Sequence, residues 1–382
     1  MTSKLSLTGL RIGSPQSMGA VRLVPILRDD PPGDLRIGLR SYGESLGIVG
    51  VDTRPLERGT HYVSYVPHAF VVSYTDGETS AALGTRLGDE ERGGKSFIRL
   101  HHRMVKSELA DDDGPRRFRL LPLHLAMEGF LALHFRGPDV LWSEYSEHAH
   151  RFGLSPRMER SVRGTWIRGL EQAVATFEIH PRQVGVLCFV AETLASAFVV
   201  SHPDDYRKLH TSLLEDFYGH LLYQYALFHP ELPRAESRVD VDVVATLADL
   251  EREVERVRGD WVSYVSLMAS GLFDRPITVE RVRTSGPFVL ERFLPSFDLD
   301  EECHIGERIV RKDGTLEYLK TFRLSQAQIR RAYLLELIAK ADWNLDTVCE
   351  RLASSKEEFL KRLVNAGFEY LLKPHIVRGL SR

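Results

Sequence analysis

The chain has 382 residues, of which 43% are apolar and 27% charged, with a formal net charge of -3. That length accommodates two or three domains with their own cores, and the composition is that of an ordinary soluble globular protein. The near balance of charge excludes a uniformly basic nucleic-acid coat or a polybasic membrane surface. No run reaches the roughly 18 uninterrupted apolar residues that a bilayer span needs.

The three cysteines, Cys188, Cys303 and Cys349, are far apart in apolar or mixed surroundings. Such a sparse, odd set points to buried thiols in a reducing compartment. The N-terminal MTSKLSLTGLRIG lacks the apolar core of a signal peptide, so the expected location is cytoplasmic.

In chain order, VRLVPIL (21–27) reads as a strand that ends at the turn-rich RDDPPGD. Residues 35–39 alternate apolar and polar, as a half-buried strand does. The aromatic and β-branched run 62–74 reads as one strand closed by the hairpin signal Asp76-Gly77. Residues 97–100 and 119–125 read as two further strands, separated by an acidic turn. Helical spacing then runs over 157–176, with Val162, Trp166, Leu170 and Val174 on one face. Residues 184–189 and 196–200 read as paired strands. An amphipathic helix over 203–228 follows, with Asp204 and Asp205 near its positive end. Strands first and mixed elements after imply an α+β domain over residues 1–230.

PELPRAESR (230–238) is a proline-bearing polar connector and the expected boundary. A linker segment over 231–324 follows. It holds a charge-laced helix over 239–257 and a small β segment over 276–322, whose clearest part is a hairpin around Asp313-Gly314. The last unit, 325–382, opens on Ser325, an N-cap with Gln328 three residues later as a capping box. Three apolar sets follow: Leu334, Leu335, Leu337 and Ile338; then Leu345, Val348, Cys349 and Leu352; then Phe359, Leu360 and Leu363. Breaks fall at Trp343-Asn344 and at 353–355. This is the spacing of a three-helix, helix-turn-helix unit.

That unit resembles the helix-turn-helix of Fis-type DNA-binding proteins. Asn344 stands at the family's asparagine, Val348 and Cys349 at its small pair, Leu352 at its apolar anchor and Gly367 at its terminal glycine. The resemblance implies that Ser355, Lys356, Lys361 and Arg362 contact double-stranded DNA. Ala353 replaces the usual turn glycine, Ser354 replaces an aliphatic residue, and Glu357 and Glu358 occupy the start of the last helix. Carboxylates there repel phosphate, although one can accept from cytosine N4.

The first unit resembles the ARPP domains through GLRIGSPQSMGAVRLVPIL (9–27) and QVGVLCFVAETLASAFVVSHPDDYRKLHTSLLEDF (183–217). The resemblance implies a domain associated with NAD- or ADP-ribose-linked enzymes. It brings no activity to transfer, and Leu141-Trp142-Ser143 is the nearest match to the family's central motif.

Other residue types invite chemistry without completing it. His101, His102, His134, His148 and His150 lack CxxC or HExxH companions, so no metal site is assigned. The hydroxyl-rich segment 41–47 is not a GxSxG elbow. Residues 84–94 carry glycines but are acidic at the centre, which suits a loop better than a phosphate cradle. Cys188 lies in an apolar strand, and Cys303-His304 is flanked by Glu301 and Glu302, which disfavour a thiolate. Arg116, Arg117 and Arg119 make a short basic cluster; Arg157, Arg160, Arg163 and Arg168, at one-turn spacing, suit phosphate or carboxylate groups of a ligand, with a solvated helix face as the favoured reading.

No catalytic residue and no cofactor is assigned. The expected protein is a DNA-binding regulator that acts as a homodimer and whose N-terminal domain senses a small molecule or protein. The alternative is a scaffold in NAD- or ADP-ribose-linked systems that uses the helical unit for docking or dimerisation, with Glu357 and Glu358 in its favour. Residues 325–382 hold ten Lys/Arg and seven Asp/Glu, and this local excess of positive charge favours DNA.

Overall fold

The computed structural model describes residues 2–37, 60–64, 70–75, 78–83, 85–89, 175–214, 237–366, 368 and 372. It is a mixed α+β structure built on a large antiparallel sheet. The strands are β1 (Thr2–Lys4), β2 (Arg11–Ile12), β3 (Gln16–Met18), β4 (Val21–Leu27), β5 (Thr60–Ser64), β6 (Phe70–Thr75), β7 (Glu78–Leu83) and β8 (Thr85–Asp89). They continue with β9 (Gln183–Val190), β10 (Thr193–Val199), β11 (Pro276–Ser285), β12 (Phe288–Pro295), β13 (His304–Arg311) and β14 (Leu316–Arg323). The six α-helices among the described residues are α1 (Pro203–Ser212), α2 (Leu247–Met268), α3 (Ser270–Phe273), α4 (Gln326–Lys340), α5 (Leu345–Arg351) and α6 (Lys356–Asn365). None of them is long and apolar enough to cross a membrane.

The ten-stranded sheet runs β1-β11-β12-β13-β14-β10-β9-β4-β2, with β3 also on β4. The decisive join is β10 to β14, where Phe198 faces Lys320 and Val199 faces Leu319. Strands on both sides of the proline-bearing connector are therefore hydrogen-bonded into one sheet. At its far edge β1 pairs with β11, Thr2 opposite Thr278. The expected linker segment supplies four of the ten strands.

One face of the sheet carries the main core. Val24 and Ile26, Leu187 and Phe189, and Ala197 and Val199 alternate onto it from β4, β9 and β10. Val265 and Ala269 of α2 and Leu272 of α3 cluster with them. Helix α1 packs on β9, and its Tyr206 lies near Cys188, which has the opposite parity to Leu187 and Phe189. Two glycines let strands meet closely. A Cβ on Gly185 would stand 2.3 Å from the Phe198 carbonyl, and one on Gly306 would stand 2.1 Å from that of Lys320.

Several expected elements differ in extent. The run 62–74 is two strands in two ladders, β5 with β8 and β6 with β7. The hairpin signal itself holds, since Thr75 pairs with Glu78. Residues 85–89, expected in a glycine-bearing loop, form β8. The strand expected at 35–39 is, within its described part, only a bridge at Ile37. The charge-laced helix starts later and runs further than 239–257, because Thr246 and Asp249 form a reciprocal capping box at its start. Val241–Val243 is a short 3₁₀ turn. The expected strands at 97–100 and 119–125 lie outside the described residues, as does the helix at 157–176 for nearly all its length.

Candidate functional site

The three C-terminal helices form where the apolar sets predict them. Ser325 and Gln328 cap α4 reciprocally. The chain leaves α4 through Asp342 and Trp343, both at positive φ, and the Asn344 side chain then caps α5 through the Asp346 and Thr347 amides. Arg351 of α5 donates to the Lys340 carbonyl at 3.1 Å, tying α5 to the end of α4. Residues 352–355 link α5 to α6, with Ala353 in the left-handed region at φ 47°. Ser355 caps α6, accepting from the Glu358 amide at 3.2 Å. Phe359, Leu360 and Leu363 are buried and anchor α6 to its neighbours.

All four residues proposed to contact DNA belong to α6 or its cap, and three of them are already engaged. The Ser355 hydroxyl is the helix cap. Lys356 Nζ lies 2.8 Å from Asp346 Oδ1, which holds the lysine pKa up. Lys361 Nζ lies 2.8 Å from Glu357 Oε1, one helical turn back, and holds the Glu357 carboxyl below its usual range. Both pairs are exposed and worth little individually. Arg362, also exposed, makes no ion pair with a described residue.

Arg362 borders a groove of about 600 Å³ between α6 and α4. On α4, Ala327, Arg330, Arg331 and Leu334 line it, spaced i, i+3, i+4 and i+7, so they share one helical face. Arg362 and Asn365 of α6 and its C-cap Ala366 repeat the i, i+3, i+4 pattern. Leu299, from the β12–β13 connection, and Tyr333 complete the wall. The Arg331 guanidinium stacks 4.7 Å above the ring of Phe368, which is buried. Arg330 and Arg331 were not read from the sequence as functional. Their signal is that two arginines interrupt what would otherwise be an apolar stripe. Leu334, of the first apolar set, is only half buried, whereas Ile329, Ala332, Leu335 and Ile338 lie on the buried face.

A second set of ionisable groups lies within the sheet. Arg292, Glu307 and Lys320 stand directly opposite one another on β12, β13 and β14. Burial brings the Lys320 ammonium down to about 8. Nearby, Glu317 is fully buried and meets both Arg28, at 3.3 Å, and Arg311, which also clasps Asp34. Burial raises the Glu317 carboxyl pKa despite these cations. Asp205 of α1 receives Arg36 Nη2 at 2.8 Å and the Ile37 amide at 3.0 Å. Arg28 and Asp34 thereby pin the N-terminal segment to the sheet, and Arg36 and Ile37 pin it to α1, a structural task.

Cys188 is completely buried and its thiol pKa is pushed up by desolvation. Burial likewise raises Cys303, with lesser effects from Asp298 and Glu301. His304 is buried, has no hydrogen-bond partner among the described residues, and is pushed down to about 3 by burial and by Arg323 and Arg275. Neither a thiolate nor an imidazolium is favoured there. The histidines at 101, 102, 134, 148 and 150, segment 41–47 and the arginine clusters at 116–119 and 157–168 lie outside the described residues.

A model of the ARPP-2 family matches residues 5–286. No curated protein and no solved structure matches the chain significantly.

Proposed function

The chain belongs to the ARPP-2 family, and from that footing we propose that it is a regulator in which the three helices beyond the matched span bind double-stranded DNA. In this reading the family domain senses a small molecule or protein partner, and the last helix unit acts as a Fis-like helix-turn-helix, working as a dimer. The observation that carries it is the outer face of α6. The helix is capped by Ser355, follows α5 after a four-residue turn, and buries only its inner side. Such a helix pair can lay its second member in a major groove. Arg362, with Arg330 across the groove, supplies positive charge that no described carboxylate neutralises.

A second reading, docking or dimerisation without DNA, has its own support. The Lys356–Asp346 and Lys361–Glu357 pairs cancel two of the cations. Charge reversal separates the two readings. Fluorescence anisotropy of a labelled duplex should show Lys361→Glu with Arg362→Glu abolishing binding by the full chain. Unchanged affinity in that double variant would remove α6 from the interface.

A further inference from the structure

The groove between α4 and α6 has the composition of a ligand site. Its volume of about 600 Å³ lies within the roughly 300–1,000 Å³ of small-molecule pockets. Its walls are mainly apolar, from Leu299, Ala327, Tyr333, Leu334 and Ala366, and the polar groups among them are dominated by three guanidinium groups. The arginines enter from two helices, Arg330 and Arg331 from α4 and Arg362 from α6. Among the described residues, neither Arg330 nor Arg362 is matched by a carboxylate and no acidic side chain lines the groove. Arg331 is held in place by its stacking on Phe368.

We propose that this groove binds a small organic anion, a carboxylate or phosphate monoester carried on an apolar body. A guanidinium presents a planar fork of donors that fits either anion in two parallel hydrogen bonds. The body of the ligand lies along Leu334, Ala327 and Tyr333, while its head meets Arg330 and Arg362. A cation-only site would suit inorganic phosphate, but the apolar walls favour a ligand that buries carbon as well. Leu299, from the β12–β13 connection, closes the sheet side of the groove, so a ligand body that reaches it also bridges the sheet to the helical unit. It also occupies Arg362, so it competes with DNA for that side chain. The ligand site stands on the groove alone and does not depend on the DNA reading.

Isothermal titration of the full chain with 1-naphthoate and 1-naphthyl phosphate, against neutral 1-naphthol, tests the site in the absence of DNA. At least one anion should bind once per chain, at least tenfold tighter than naphthol. Preference between the two anions identifies the head group as carboxylate or phosphate. Arg330→Gln with Arg362→Gln, both at exposed positions, should weaken the anion at least tenfold. Ala327→Trp, which fills the groove and leaves all three guanidinium groups, should abolish binding. The proposal is overturned if neither anion binds, if naphthol binds equally well, or if both variants bind like the parent. If the anion binds as expected while duplex affinity is absent, the groove stands and the DNA reading falls.

Discussion

His304 shows how much a single buried side chain contributes to the pH response of this fold. It begins β13, is 2% exposed, and faces Arg323 across the ladder. Its imidazole is neutral in the native state because burial and two nearby arginines lower its pKa to about 3. The unfolded chain binds the proton near the ordinary value, about 6.5. Stability from this group is therefore full above about pH 6.5 and is lost as the pH falls from there toward about 3. Between pH 7 and pH 5 the linkage amounts to about 2 kcal/mol. His210, lowered to about 4 by burial, adds to the same trend. Urea unfolding at the two pH values should show the His304→Phe variant losing about 2 kcal/mol less than the parent. Equal losses in the two proteins would mean that His304 does not titrate on unfolding. The residue pattern Cys303-His304 drew attention in the sequence, yet nothing local in it discloses that the sheet would enclose the ring.

At the scale of the element, legibility follows the range of the interactions that define each piece. The hairpin around Asp313-Gly314 was readable because the turn decides it locally: Gly314 sits at φ 92° and the Thr315 amide bonds Asp313. The caps at Ser325 and Asn344 were readable for the same reason. The start of α2 was not, because the charge-bearing run continues without a break through 239–257 while the Thr246–Asp249 box sets the true start. The groove was half legible. Arg362 was singled out from the sequence, but its partners Arg330 and Arg331 become neighbours only when α4 and α6 pack. Ala353 offers a direct test of the α5–α6 turn. A non-glycine residue at φ 47° carries a cost of about 1 kcal/mol. Ala353→Gly should remove much of it, raising unfolding free energy by up to about 1 kcal/mol. A clear loss of stability in that variant would show that the turn does not need this backbone geometry.

For the whole molecule, the antiparallel sheet matters more than the linear division of the chain. The ARPP-2 match ends at residue 286, between β11 and β12, while the sheet continues through β14. Pairing of β10 with β14 brings Phe198 beside Lys320. No local pattern announces a contact that distant, whereas the polar connector at 230–238 stands out at once in the sequence. The helical unit follows directly on β14, with Leu324 bonded to the Cys303 carbonyl and Ser325 beginning the cap of α4. A short, fixed join of this kind can pass an event at the sheet to α4 and α6. On the proposed reading α6 meets DNA through the positive charge of Arg362, which no described carboxylate pairs, and a salt series measures this most directly. Anisotropy of a labelled duplex with the full chain should show affinity falling about tenfold or more as salt rises from about 50 to about 200 mM. Duplex affinity that stays constant across that range, or no duplex binding even at the lowest salt, would contradict it.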